Sequence, residues 1–514
     1  MNTDHMHRSG KARPVLVSFV VLVACAVLWL IAEICFAVTA EPDIDTDYAS
    51  QIEDLARSVQ ADAPNLWSAF ESIVTEHGAI SDRVDDRVLQ LEPVRSSQTL
   101  GYQSVYENAD IAKTLRSAFE FDEQELAAEL QRLRLGRALY VDALHSWAET
   151  GFEQRLQRIS TADARFVRTV PRDQVGFAIL LPELGPARQL GKALRAQMYL
   201  AAEAGEWDAY TRYFGQALWL ARILEAEPIV ISGLVGVSIR SVVVEAVRQD
   251  VVAQRVPGAT LARLASLLAN ADPPAASHVL RGEKLWALDT TQHTHDRRGR
   301  LMVSKLQIVQ GGEGLPPIAN LASIVLPRRG TTERLIASYY DGMIELAELS
   351  AIERRAHEAR AGTGPPPIPA NQPLLQAIIP AFERMFLSFD AASIEHSGLV
   401  TLLAIERFRA ERGRLPGMLG ELVPAYLGEP PADAWAEQAP LKYVRDDSVL
   451  GYQLYSVGSD GKDDNAARPP AGRGRAGDRD ALKGVPSVRT LSSLGATICL
   501  ESRYRTYRGL QPRL

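Results

Sequence analysis

Apolar residues run almost unbroken from Val15 to Ala32, interrupted only by Ser18, and resume after Glu33 as far as Ala40. About 20 apolar residues span a hydrocarbon core. The pattern therefore predicts a transmembrane helix over 15–40, with Glu33 snorkelling at the far interface. Arg8, Lys11 and Arg13 precede the run, and Glu41, Asp43, Asp45 and Asp47 follow it. The positive-inside rule then places residues 1–14 in the cytoplasm and everything beyond Ala40 outside. Val38-Thr39-Ala40 also has the small residues of a signal-peptide cleavage site. The apolar run is longer than a signal core of about 7–15 residues, which favours an uncleaved anchor. Both readings place the body outside the cytoplasm, and the anchor reading gives a single pass through the cytoplasmic (inner) membrane, with the bulk of the chain periplasmic.

Beyond the anchor the spacing is helical. Ile52, Leu55, Ala56 and Val59, then Leu66, Phe70, Ile73 and Val74, recur at i, i+3, i+4, with a break expected at Pro64. A second helical region starts near Ile111, its buried face marked by Leu126, Leu130, Leu133, Leu139, Leu144 and Trp147. The strongest periodicity spans Ala187 to Gln254. There Ala204-Gly205-Glu206-Trp207 should turn one helix into the next. This turn resembles a single tetratricopeptide unit, but no second copy follows at that period, so a plain helical hairpin is expected. Ile229 to Val247 is apolar nearly all round, which predicts a buried helix. Its length would also fit a second membrane crossing, but Arg240 and Glu245 favour a central soluble helix. Further helices are expected over 261–269 and 333–361, with an irregular region between them.

Pro365-Pro366-Pro367-Ile368-Pro369 marks an extended linker over 362–373. The pattern then changes. Asp390–Arg412 reads as a helix stopped by Gly413, on which Glu406 and Arg407 form a solvated face. Leu419, Leu422 and Val423 suggest a short helix. Leu441–Val444 and Gly451–Ser456 read as strands turned at Asp446-Asp447-Ser448. The fold class is thus α+β: an anchor, a mainly α-helical body over 41–361, and a small α+β domain over 374–465 with a β-hairpin or small antiparallel sheet.

Charge divides the chain further. The net charge is −7. Residues 466–514 hold ten Lys or Arg against three acids, leaving the rest at −14. The Arg- and Pro-rich start of that tail predicts a basic, disordered segment. The acidic body argues against nucleic acid as the main partner. Cys25, Cys35 and Cys499 are not placed to staple a soluble domain.

No nucleophile elbow, phosphate-binding loop or His-Glu-x-x-His stands in the chain. The best metal-like cluster is Glu283, Asp289, His293, His295 and Asp296, where His-x-His would share one face of a strand. Its flanks read as a polar, exposed stretch. This leaves a metal-dependent hydrolase as a minor expectation. A groove lined by Trp207, Tyr210 and Trp219 would instead suit a membrane-tethered binder of a small ligand or peptide.

One set of motifs carries a resemblance: Leu415-Pro416, Leu422-Val423-Pro424-x-Tyr426-Leu427, Pro431-x-Asp433-x-Trp435, and Tyr452-x-Leu454-Tyr455-Ser456-Val457-Gly458-Ser459-Asp460-Gly461-Lys462-Asp463-Asp464. In this order they resemble the soluble domain of the major pseudopilin of type II secretion systems, over about 399–464. Two features depart from that family. Asp433-Ala434-Trp435-Ala436 stands for the usual Asp-Pro-Trp-Gly, and the family's processing junction is missing. The resemblance implies a structural module rather than a catalytic one. It also implies a calcium loop at Asp460, Asp463 and Asp464, with Ser456 and Ser459 nearby, since hard cations take six to eight oxygens. A solvated Asx-rich turn is the alternative at those residues. The expected function is that of a membrane-anchored structural or interaction protein, with envelope or secretion-system proteins as partners.

Overall fold

The computed structural model describes residues 12–56, 63–89, 122–174, 176, 181–309, 314–361, 368–379, 383–436, 439–448, 450–458, 463 and 465. Within them the chain is mostly helical, with one two-stranded antiparallel sheet. Residues 1–11 of the expected cytoplasmic segment 1–14, the Pro-rich run 362–367 and the basic tail 466–514 lie outside the described residues.

The apolar N-terminal run forms one helix, α1, Ala12–Val38, of 27 residues. After it come α2 (Tyr48–Ala56) and α3 (Trp67–Leu89). Between those two, Pro64 to Leu66 is extended, and the Pro64 carbonyl accepts from the Arg165 N–H at 3.0 Å. Helix α4, Glu123–Glu149, starts at a capping box in which Asp122 and Glu125 exchange side-chain and backbone hydrogen bonds. Helix α5 (Phe152–Ser160) follows.

The helical hairpin predicted around Gly205 is present as α6 (Leu184–Ala204) and α7 (Trp207–Ala226). Gly205 adopts φ 72°, a left-handed conformation that suits glycine. The Glu206 N–H then reaches back to the Ala201 carbonyl at 2.8 Å. Helix α8, Val230–Val252, is apolar over most of its length and runs through the centre. It is long and apolar enough to cross a membrane, and the described part of α1 adds a shorter apolar stretch, Cys25–Val38. Most of α8 is buried between α6, α7 and the last long helix. Its Arg240 forms a two-pronged pair with Glu225, Nε to Oε1 at 2.8 Å and Nη2 to Oε2 at 2.5 Å. Both side chains are buried, so each charge is compensated by the other among the packed helices.

Helix α9 covers Gly258–Leu268. The region expected to be irregular holds a helix, α10, over Ala276–Thr294. It crosses Pro228 so closely that a Cβ at Gly282 would stand 1.9 Å from the Pro228 carbonyl oxygen, a separation that only glycine allows. A short helix, α11 (Leu306–Val309), and a nine-residue 3-10 helix, Pro317–Val325, come next. The single helix expected over 333–361 is two, α12 (Arg329–Glu348) and α13 (Ala351–Ala361). Ser350 separates them: its hydroxyl accepts from the Glu353 N–H while the Glu353 carboxylate takes the Ser350 N–H.

Two residues of the expected linker pack onto the body: Ile368 lies against an apolar core and Gln372 is buried. The Gln372 side chain accepts from the buried Thr332 hydroxyl at 3.1 Å, and Pro373 opens α14 (Pro373–Ile378). Helix α15, Glu383–Arg412, is 30 residues long and stops at Gly413, φ 66°. Strands β1 (Lys442–Arg445) and β2 (Tyr452–Tyr455) pair with Tyr443 opposite Leu454. Asp446 turns the hairpin by accepting from the Ser448 N–H at 3.1 Å.

Two apolar cores result. The larger joins α3 to α9, the C-terminal part of α15 and the hairpin residues Trp435, Tyr452 and Leu454. The smaller joins α10, α12 and α14. Helices α8 and α15 enter both: Val230 and Met385 lie in the smaller, Val247 and Leu402 in the larger. The hairpin module therefore shares its core with the helical body.

Candidate functional site

The calcium reading centres on the loop after β2. Ser459, Asp460 and Asp464 lie outside the described residues. Asp463 is described: its carboxylate accepts from the Tyr455 hydroxyl at 3.2 Å and the Asn465 N–H at 3.0 Å. The Lys442 ammonium stands 3.5 Å away. The backbone N–H first, then Tyr455 and Lys442, hold this carboxyl below its ordinary range. Ser456 departs from the role expected of it. It is fully buried, and its hydroxyl donates to Asp433 Oδ1 at 2.8 Å.

Asp433 thereby becomes the organiser of the module. Its Oδ1 also accepts from the Trp435 N–H at 2.9 Å, and its Oδ2 takes the Val457 N–H at 2.9 Å. One carboxylate thus closes its own turn and ties it to the end of β2. A buried carboxylate persists where such donors compensate its lost hydration. Glu406, expected on a solvated face, is buried and accepts from the Tyr452 hydroxyl at 2.8 Å. Its expected neighbour Arg407 lies over the Tyr426 ring, 5.4 Å from the centroid.

The polar stretch of α10 is the second candidate. It is not exposed: Asp289, Gln292, His293 and His295 are all buried. The two histidines also do not share a strand face, because His293 is the penultimate residue of the helix and His295 caps it. His293 Nε2 lies 3.7 Å from Asp289 Oδ1. His295 Nδ1 lies 2.8 Å from the Thr291 carbonyl, so that nitrogen carries the proton. Burial pushes both imidazoles below their ordinary pKa. It raises Asp289 to about 6 and Glu283 to about 7. Glu283 Oε1 accepts the Val230 N–H at 2.8 Å, filling one of the open donors at the start of α8. Among the described residues no three His, Cys, Asp or Glu side chains converge as metal ligands. The stretch serves as a seat for the segment that follows α1. Gln292 makes two hydrogen bonds to the Thr46 backbone, at 3.2 and 2.9 Å, and the Asp43 N–H reaches the His295 carbonyl at 3.0 Å.

Of the three aromatics that would line a binding groove, Tyr210 lies in the larger core, and Trp207 and Trp219 pack against it. Tyr210 is fully buried, with its hydroxyl on Asp250 at 2.9 Å. Trp219 packs edge-on to Phe70 and Phe166, and Trp207 stacks on Tyr210.

The third region was not anticipated. The last turns of α1 are clasped by the body. Glu33 pairs with Arg300, with Nη2 to Oε1 at 3.1 Å and a shorter contact through Nη1. Asn320 Nδ2 donates to the Ala37 carbonyl at 2.9 Å. The Arg298 guanidinium lies 3.3 Å from the centroid of the Phe36 ring. Arg329 then binds the Asp43 carbonyl at 2.7 Å and the Asp45 carboxylate at 2.7 Å. The local signal was an arginine-rich pair of runs, Arg297-Arg298-Gly299-Arg300 and Arg328-Arg329, opposite the acids that follow α1.

Compared with known proteins, the chain matches no family model, no curated protein and no solved structure.

Proposed function

We propose that the protein is a membrane-anchored, extracytoplasmic structural or interaction protein that presents a pseudopilin-like module from a helical body, within type II secretion or a related envelope assembly. The observation that carries this reading is the clasp on α1. Glu33, Phe36 and Ala37 of the apolar helix are bound by Arg300, Arg298 and Asn320, a grip that would hold the body at a fixed attitude to the membrane that α1 enters. A freely tethered domain needs no such grip. Support for the module comes from the order of its parts: a long helix, a short 3-10 helix, the Asp433 turn and the β1–β2 hairpin. Calcium at the loop of Asp460, Asp463 and Asp464 belongs to the same proposal.

The test is site-specific photo-crosslinking in living cells from Met418 and Val444, which are exposed on the module. Adducts with inner-membrane components of a secretion or fibre-assembly machine support the reading. Labelling of both sites by cytoplasmic reagents alone, or no adduct from either, overturns it. Calcium titration of the full chain tests the loop. A midpoint rising with calcium supports the site, because a ligand selective for the folded state stabilises it by mass action. An unchanged midpoint removes it.

A further inference from the structure

The 3-10 helix Pro317–Val325 lies alongside the last turns of α1 and has its polarity inverted. Its sequence, Pro-Ile-Ala-Asn-Leu-Ala-Ser-Ile-Val, is apolar except at Asn320 and Ser323. Those two polar residues are the buried ones. Asn320 turns inward to the Ala37 carbonyl and also accepts the Ser304 N–H at 2.9 Å. The apolar side chains point out: Ile318 is 47 %, Ile324 40 % and Val325 85 % exposed. An element bathed in water turns its polar face outward; the reverse is expected of one whose surroundings are apolar.

The neighbouring surface has the same character. On α1, Leu28, Trp29, Ile31, Phe36 and Val38 are exposed, and this apolar wall leads to the 3-10 helix. Exposed Arg297, Arg298 and Arg328 stand nearby, and Arg328 is fixed to the Arg298 carbonyl at 3.0 Å. Guanidinium groups pair well with phosphate oxygens. Apolar side chains bordered by arginines next to a membrane-spanning helix match the interface of a phospholipid bilayer, where apolar groups enter the acyl boundary and cations meet headgroups.

We infer that Pro317–Val325 is an interfacial membrane element: Ile318, Ile324 and Val325 enter the same bilayer as α1, and Arg297, Arg298 and Arg328 bind its lipid phosphates. This rests on the reading of α1 as the anchor. The protein would then hold the membrane at two points, which fixes the body's tilt as well as its distance. A second copy of the chain is the less suitable occupant, because the same arginines would face each other across the contact.

The experiment uses the full chain in vesicles of phosphatidylcholine and phosphatidylglycerol. Cys25, Cys35 and Cys499 are replaced by Ser, and single spin labels are placed at Leu28→Cys, Val325→Cys and Met418→Cys. Collision with oxygen, which partitions into lipid, is compared with a water-soluble nickel complex. The expected result is a several-fold preference for oxygen at positions 28 and 325, and the reverse at 418. A label at 325 as open to nickel as the one at 418, with 28 still in lipid, overturns this inference and leaves the anchor standing. A label at 28 also open to nickel overturns the anchor reading and this inference with it. Shielding at 325 that disappears as protein is diluted in the vesicles assigns the patch to a contact between copies, and also overturns it.

Discussion

Glu33 and Arg300 form a carboxylate–guanidinium pair across 267 positions of sequence, joining the apolar helix α1 to the turn that follows α10. The pair stands beside the Asn320–Ala37 hydrogen bond, so the contact holds both a side chain and the backbone of α1. Arg300→Ala should loosen the segment that follows α1 and leave the rest of the body folded. The expected outcome is several-fold faster proteolysis within residues 39–47, read by mass spectrometry of the full chain in detergent. The paired change Glu33→Gln with Arg300→Gln should recover part of the protection, because it leaves no uncompensated charge. Unchanged cleavage in Arg300→Ala would show that the pair holds nothing.

Asp433 accepts three hydrogen bonds in a buried turn. Asp433→Ala leaves the Val457 and Trp435 N–H groups and the Ser456 hydroxyl without that acceptor. Each unsatisfied buried group costs about 1–3 kcal/mol, so a loss of roughly 3 kcal/mol or more is expected in chemical denaturation. Asp433→Asn keeps one acceptor oxygen and should lose less.

Burial raises Glu283 to about 7, from an ordinary value near 4.5. Above pH 4.5 the unfolded chain releases this proton while the folded chain retains it. Stability from this group is therefore full below that pH, falls as pH rises towards 7, and then levels off. The slope is up to roughly 1.4 kcal/mol per pH unit. Glu283→Gln stays neutral and can still accept the Val230 N–H. Denaturant midpoints measured between pH 4.5 and 8 should show a flatter decline in this variant. Asp289 and Glu395, raised to about 6 and about 7, retain their share of the slope.

His77 should act in the opposite direction. It is buried edge-on to Trp147, with ring centroids 5.6 Å apart, and burial lowers its pKa to about 3 from 6.5. The folded state keeps it neutral, while the unfolded state binds a proton below pH 6.5. Stability is thus present above 6.5 and lost as pH falls towards 3. His77→Phe keeps a ring among Trp147 and Phe152 and removes the titration. Its midpoint should exceed that of the parent chain increasingly below pH 6.5, with little difference at pH 8.

Local periodicity located α6, α7 and α8, because each carries an apolar stripe or shell and Gly205 marks the turn. It missed α10, whose last turns read Thr290-Thr291-Gln292-His293-Thr294. That run looks solvated, yet the chain buries it by folding Thr46 and α2 over it. Its hydroxyls are satisfied within the helix, Thr291 on the Ala287 carbonyl and Thr294 on the Thr290 carbonyl. No short window of sequence reveals either fact. The same limit applies to the module. Asp433 stood out as part of a motif, but its acceptance of Ser456 and Val457 depends on the hairpin returning beside it. The clasp on α1 depends on pairings between residues more than 260 positions apart. Glu33 looked like a charge snorkelling to water, and its partner lay in an arginine run that local sequence gave no reason to connect with it.

Because α8 and α15 each take part in both cores, the hairpin and the end of α1 are joined by packed helices rather than by slack chain. Mechanically, a load applied at β1–β2 passes through the Tyr452–Glu406 contact into α15, across to α8, and on through Glu283 to α10. From there Gln292 passes it to the Thr46 backbone and Arg300 to Glu33 of α1. The described chain is braced as a strut from the hairpin to the last turns of α1.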